Sequence, residues 1–166
     1  MLIFIFFTVK AFEISTVPTS GPPPAPILNN KATFNPDSNQ IIVFGGQDAT
    51  TLKFKNTLHT FSIENLVWGE IIPESYENPP GLGFSEIFLT EDKRLLVFFG
   101  SMKNSISGNV YSFDLETKKC ALEKLTGDYI EGRVYYSSIC YYYNSTKFLA
   151  IYGGLTSKGI DNNLYI

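Results

Sequence analysis

Three short apolar runs punctuate the chain at equal intervals. Ile41-Ile42-Val43-Phe44 precedes Gly45-Gly46, Leu95-Leu96-Val97-Phe98 precedes Phe99-Gly100, and Leu149-Ala150-Ile151-Tyr152 precedes Gly153-Gly154. The offsets are 54 (98 − 44) and 54 (152 − 98). A fixed recurrence of this size marks a repeat architecture. Four consecutive apolar residues, rich in β-branched and aromatic types, predict a strand buried on both faces. The glycines end it, because they accept φ > 0 and let another backbone come close. Each run is therefore expected as an inner strand.

The flanking pattern fills out four strands per unit. In the first unit, strands at 31–34 and 40–44 flank the turn Asn35-Pro36-Asp37-Ser38-Asn39. A longer loop over 47–56 leads to strands at 57–63 and 68–72. The second unit repeats this with strands at 85–89, 95–99, 109–113 and 120–125, the turn Glu91-Asp92-Lys93 and a loop over 101–108. The third gives strands at 137–143 and 148–152 around the turn Asn144-Ser145-Thr146-Lys147, then the start of another.

Thr16 to Pro26, Asn78-Pro79-Pro80-Gly81 and Gly127 to Gly132 separate the units. The first of these is expected to be extended and outside any strand ladder. The division is then 16–72, 73–125 and 126–166. Residues 1–15 read as the end of a preceding unit or as a short signal peptide. Phe12 lies 11 residues before Pro23, as Trp68 lies 11 before Pro79, which favours the former, and no basic segment precedes the apolar start. That start is too short to cross a bilayer as a helix.

Four short antiparallel strands per repeat describe a propeller blade, and the units resemble the kelch repeat. Gly45-Gly46 and Gly153-Gly154 carry the resemblance, together with the aromatic pair Phe61 and Trp68. In the second unit Phe113 matches, but Cys120 stands in the tryptophan position and Phe99 in that of the first glycine. Only Arg133 supplies the arginine that often opens a kelch unit. The resemblance implies an all-β, kelch-type β-propeller segment, with two complete four-stranded blades plus partial blades at each end. Blades bury their faces by stacking. Gly45, Gly46, Phe61, Trp68, Gly100, Phe113, Gly153 and Gly154 are thus expected to be structural, with Trp68 between neighbouring sheets. Because such rings have about four to eight blades, the chain reads as a fragment of a longer protein. Further blades of the same or another chain are the expected neighbours.

Composition narrows the chemistry. The 166 residues are 44% hydrophobic and 15% aromatic with 17% charged, a globular rather than a disordered balance. A net charge of −3 argues against a nucleic-acid surface, and Lys118-Lys119 reads as a solvated turn. Cys120, Cys140 and the single histidine, His59, have neither disulfide-framework nor zinc spacing. Cys140 reads as a small buried hydrophobe and His59 as a hydrogen-bonded structural residue. Asp48, Asp114 and Asp161 read as turn formers. With no triad pattern, no phosphate loop and one histidine, neither catalysis nor a metal or other cofactor is expected.

The functional expectation is a non-catalytic module that presents its loops to a protein partner, in an adaptor or scaffold role, as the kelch resemblance implies. The candidate residues are Gln47, Asp48 and Lys53 after the first glycine pair, and Ser101, Lys103 and Asn104 after the second. Glu74, Tyr76, Glu77, Tyr129 and Arg133 join them from the inter-unit linkers. Neither nucleic acid nor a membrane span enters this reading. The alternative is a fragment of a secreted or surface kelch-like enzyme or glycoprotein. Asn144-Ser145-Thr146 is a glycosylation sequon in a turn, which agrees with that. The compartment is read as cytoplasmic, or as secretory if residues 1–11 are a signal peptide.

Overall fold

The computed structural model describes residues 15–74 and 78–166. The closing strands expected within 1–14 lie outside the described residues, as do Tyr76 and Glu77. The described residues contain strands, turns and irregular segments but no helix, in keeping with an all-β segment.

In the first unit the elements are β1 (Ile27–Leu28), β2 (Lys31–Asn35), β3 (Gln40–Phe44), β4 (Gln47–Asp48), β5 (Leu58–Ser62) and β6 (Val67–Ile71). They build a four-stranded antiparallel sheet in the order β2-β3-β5-β6. The apolar run lies in its interior, as its composition demands, with Ile42, Val43 and Phe44 all buried. The β2–β3 hairpin is closed by Asn39, whose φ of 51° suits a side chain that tolerates the left-handed region, and by Asp37 N donating to Asn35 Oδ1.

The second unit repeats the plan with β7 (Glu86–Leu89), β8 (Arg94–Phe98), β9 (Val110–Asp114) and β10 (Cys120–Glu123), in the order β7-β8-β9-β10. The third has β11 (Arg133–Val134), β12 (Ser137–Tyr143), β13 (Thr146–Tyr152), β14 (Leu155–Thr156), β15 (Gly159–Ile160) and β16 (Leu164–Tyr165). Its main sheet runs β12-β13-β16. Among the described residues the expected strands are present with ends displaced by one or two residues, since hydrogen bonding rather than hydropathy sets where each ladder stops.

Register explains the aromatic–tryptophan spacing. Phe61 faces Trp68 directly across β5 and β6, and Phe113 faces Cys120 across β9 and β10. The Phe61 and Trp68 rings pack at 4.9 Å. Side chains alternate along a strand. Leu58 packs towards the second sheet, so Phe61 and its partner Trp68 lie on the opposite face. Trp68 is consequently half-buried against Phe61, on the face turned away from the second sheet. Cys120, by contrast, is buried in the contact of those two sheets.

That contact is the main core. Ile42, Phe44 and Leu58 meet Ile87, Leu95, Val97, Phe113 and Cys120, and Leu82 from the linker fills the gap. Each large side chain buried there stabilises by roughly 1.5–3 kcal/mol. A second cluster of Phe99, Val110 and Ile151, with Tyr136 and Leu149 packed on it, joins the second sheet to the third. The first strands of neighbouring sheets, β2 and β7, also touch, and Lys31 on β2 forms an ion pair with Glu86 on β7.

The linker over 16–26 departs from its expected isolation. Ser20 N donates to Leu66 O at 3.0 Å and Trp68 N donates to Ser20 O at 2.8 Å, a parallel bridge on the outer edge of β6. Ser20 retains its N–H where the surrounding prolines do not, so it can cover an edge that would otherwise stay open. Gly21 is required beside it: its φ is 79°, and a Cβ there would sit 2.2 Å from Trp68 O.

Candidate functional site

At the end of each apolar strand the chain turns in the same way. The first turn residue has φ of 63° at Gly45, 53° at Phe99 and 67° at Gly153. The second has 91° at Gly46, 111° at Gly100 and 104° at Gly154. Two backbone bonds recur in each unit. Gly45 N, Phe99 N and Gly153 N donate to Thr57 O, Asn109 O and Asn163 O at 3.1, 3.0 and 3.2 Å. Lys55 N, Ser107 N and Asp161 N donate to Gly46 O, Gly100 O and Gly154 O at 2.8, 2.8 and 2.9 Å. Phe99 is a non-glycine residue forced into the left-handed region, and it is fully buried. The strain is offset by its ring packing against Phe98 and Tyr136.

These turns change the picture of the loops that follow. After turning, each loop hydrogen-bonds to the linker that enters its unit, forming a small ladder. In the first unit β1 pairs with β4, and Gln47 bridges Phe54. In the second, Ser101 bridges both Gly83 and Ile106. In the third, β11 pairs with β14 and β14 with β15. The loops are therefore pinned at both ends, and their tips are exposed.

The candidate residues divide accordingly. Gln47 is half-buried in β4 and donates through Nε2 to Leu52 O at 2.8 Å. Asp48 holds the first loop in shape. Its Oδ1 accepts from Thr50 N and Thr51 N at 3.0 and 2.8 Å, and its Oδ2 lies 3.2 Å from Lys55 Nζ. The bonds from Thr51, then Lys55 and Thr50, lower its carboxyl to about 2. Ser101 is half-buried in its ladder. Gln47, Asp48 and Ser101 thus support their loops while staying half-exposed. Lys53, Lys103 and Asn104 are exposed at the tips, and Tyr129 is exposed in the linker beside Asn109 and Val110. Glu74 is exposed but lies elsewhere: its N donates to Lys118 O and its carboxylate is 3.4 Å from Lys118 Nζ, at the end of β9 remote from Gly100.

Arg133 is corrected outright as a surface residue, because it is completely buried. Its Nε donates to Glu131 O at 3.0 Å and its Nη1 to Gly153 O at 2.9 Å. Nη2 lies 3.1 Å from Asp161 Oδ2 as an ion contact, and the guanidinium sits 4.6 Å from the Tyr165 ring centroid. The Asp161 carboxyl is lowered by Asn163 N, the Tyr165 hydroxyl and Arg133. A planar, always-charged fork satisfies this many acceptors where lysine does not. Arg133 ties the entering linker to the glycine turn of its own unit.

Sequence reasoning passed over Lys158. It lies at the third loop tip, strongly exposed, 3.4 Å from Glu131. Its position after Gly154, parallel to Lys53 and Lys103 after their own turns, was the available signal. Asp114 accepts from Glu116 N and Thr117 N and is the turn former expected. His59 Nδ1 is buried with no hydrogen-bond partner among the described residues. Cys140 is half-buried rather than buried. It borders a cleft of about 470 Å³ between the second and third sheets, with Phe88, Leu96, Phe98, Lys147 and Phe148. Among the described residues no three His, Cys, Asp or Glu side chains group as metal ligands. No helix among them is long and apolar enough to cross a membrane.

A thrice-repeated strand, turn and pair of bonds defines the unit. A model of the KLHDC2/KLHL20/DRC7 Kelch-repeats domain matches residues 2–166. The chain belongs to the kelch-repeat family. No curated protein matches it. The sheets are kelch blades, then, and the kelch domain is in general a protein-interaction module built on a β-propeller, usually without catalysis. The blades are stitched at their first strands by Tyr136 of the third. Its Oη accepts from Glu86 N at 3.1 Å and donates to Phe98 O at 3.0 Å. Burial pushes this phenol well above its ordinary value.

Proposed function

We propose that this kelch segment is an adaptor that captures a protein partner at the glycine-turn end of its blades, through an acidic surface on that partner. One observation carries the reading: each of the three pinned loops exposes one lysine near its tip, Lys53, Lys103 and Lys158. This basic set stands on a chain of net charge −3. Loops held by ladders lose little further freedom on binding, which favours recognition by a preformed surface. Asn104 and Tyr129 add a polar and an aromatic contact at the same end. Steering by such charges acts chiefly on the rate of encounter and weakens with salt.

The test is a pull-down from source-cell lysate with the full chain as bait, comparing wild type with the triple variant Lys53→Glu, Lys103→Glu, Lys158→Glu. Capture of the wild type's specific partner is expected to fall about tenfold or more, and to fall in the wild type as salt rises. Equal capture by both baits overturns the choice of face. Arg133 has no place in the variant, because its substitution tests folding rather than binding.

A further inference from the structure

The end of the third blade opposite its glycine turn carries a feature that partner capture does not use. β12 and β13 are joined by the two-residue turn Asn144-Ser145, with φ of 47° and 61°. Both residues are left-handed, the pattern of a type I′ hairpin turn, in which asparagine is favoured. The turn accounts for Asn144 by itself. It requires neither the hydroxyl of Thr146 nor a broad exposed ring at 143, and those two residues are direct cross-strand partners flanking the apex.

The neighbouring tyrosines show the contrast. Tyr142 is engaged, its hydroxyl donating to Glu91 Oε1 at 2.9 Å and its ring lying 5.6 Å from Lys147 Nζ. Tyr141 stacks on Phe148 at 5.6 Å. Tyr143 is 65% exposed and among the described residues has no ring or hydrogen-bond partner. Asn144, Ser145 and Thr146 are exposed as well. An unblocked carboxamide, a threonine hydroxyl two residues later and an adjacent open aromatic face therefore meet on one hairpin.

We propose that Asn144 is an N-glycan acceptor whose first N-acetylglucosamine lies on the Tyr143 ring. In the transfer step the donor is an oligosaccharide linked to a lipid diphosphate. Asn144 Nδ2 forms a bond to the sugar C1, the bond from C1 to the phosphate oxygen breaks, the lipid diphosphate leaves, and the amide proton passes to a base of the transferase. Thr146 Oγ1 supplies the hydroxyl that the sequon requires. The apolar face of the sugar then covers part of the exposed Tyr143 ring, a contact type that aromatic side chains favour. The site is at the opposite end of β13 from Gly153, so a glycan here leaves the lysine-bearing tips clear. Its test is separate from that of the partner reading.

The deciding experiment isolates the protein from its own cells and digests it with trypsin, which releases the peptide 134–147. Peptide N-glycosidase in ¹⁸O-water then converts a glycosylated asparagine to labelled aspartate. Labelled aspartate at 144 is expected, whereas recovery of that peptide solely with unmodified asparagine overturns the site. Thr146→Val keeps a β-branched strand residue and so the hairpin; expressed in the same cells, it is expected to lose the glycan, and retention overturns the sequon's role. The ring contact has its own readout. Enzymatic removal of the glycan is expected to lower the melting temperature by roughly 2 °C in the parent chain and to leave a glycosylated Tyr143→Ala chain unchanged. An equal fall in both overturns the stacking.

Discussion

Tyr136 Oη donates to the Phe98 carbonyl at 3.0 Å across 38 residues of sequence, and the same oxygen accepts from Glu86 N at 3.1 Å. One hydroxyl therefore links the residue just before β12 of the third blade to the first and second strands of the second. Tyr136→Phe keeps the ring but removes both of these bonds, so a loss of about 1–3 kcal/mol is expected, read by chemical denaturation.

The same residue gives an alkaline limit. Burial raises the Tyr136 phenol above its ordinary value of 10. The neutral form is the one the fold holds, so its stabilisation is complete below the unfolded value and is lost as pH rises past it. Wild-type stability should decline above about pH 10 more steeply than that of Tyr136→Phe. Parallel curves for the two would contradict this.

The Asp48 carboxylate works in the reverse sense. Its value is lowered from 3.8 to about 2, so its contribution to loop order is present above 3.8 and lost as pH falls through about 2. Asp48→Asn should remove that dependence. The amide signals of Thr50 and Thr51 are the probe: in wild type they should shift through this acid window, and in the variant they should not.

The three glycine turns are predicted to differ in tolerance. A Cβ at Gly45 would lie 2.5 Å from the Leu82 carbonyl oxygen, whereas at Gly153 the nearest atom is Asp161 O at 3.3 Å. Gly45→Ala should therefore cost clearly more than Gly153→Ala, for which the left-handed penalty of roughly 1–2 kcal/mol dominates. Phe99→Gly relieves that penalty but deletes a fully buried ring, a loss of about 3–5 kcal/mol for a comparable truncation. Net destabilisation is expected, and a more stable Phe99→Gly would show that the ring does not hold the turn.

Arg133→Ala removes a wholly buried cation from Gly153 O, Glu131 O and Asp161. A loss of about 3–5 kcal/mol is expected, and Arg133→Lys should recover only a minor part because the fork is what fits. Thermal unfolding of the two variants checks both statements.

The chain order of strands was legible in the sequence because each apolar run and turn carries its own local pattern. Ile41–Phe44 can only be an inner strand, and the 54-residue recurrence repeats that conclusion. The cross-strand partnership of Phe61 with Trp68 follows from their spacing once the intervening turn is recognised. The site was less legible. Arg133 looked like a linker cation, and Gln47, Asp48 and Ser101 looked like open loop, because hydropathy does not register a two-residue ladder whose partner lies about 20 residues away.

Sequence alone determined the repeat, the strands and the turn residues, because hydrophobic period and backbone conformational preference act within a few positions. Tertiary structure decided which cations are buried and which remain at the tips. Burial depends on how a linker crosses the glycine turn of a blade, and that crossing is set by hydrogen bonds between segments distant in the chain. Arg133 and Lys158 carry the same charge in the same unit. Only the fold separates the one buried within the blade from the one exposed at a loop tip.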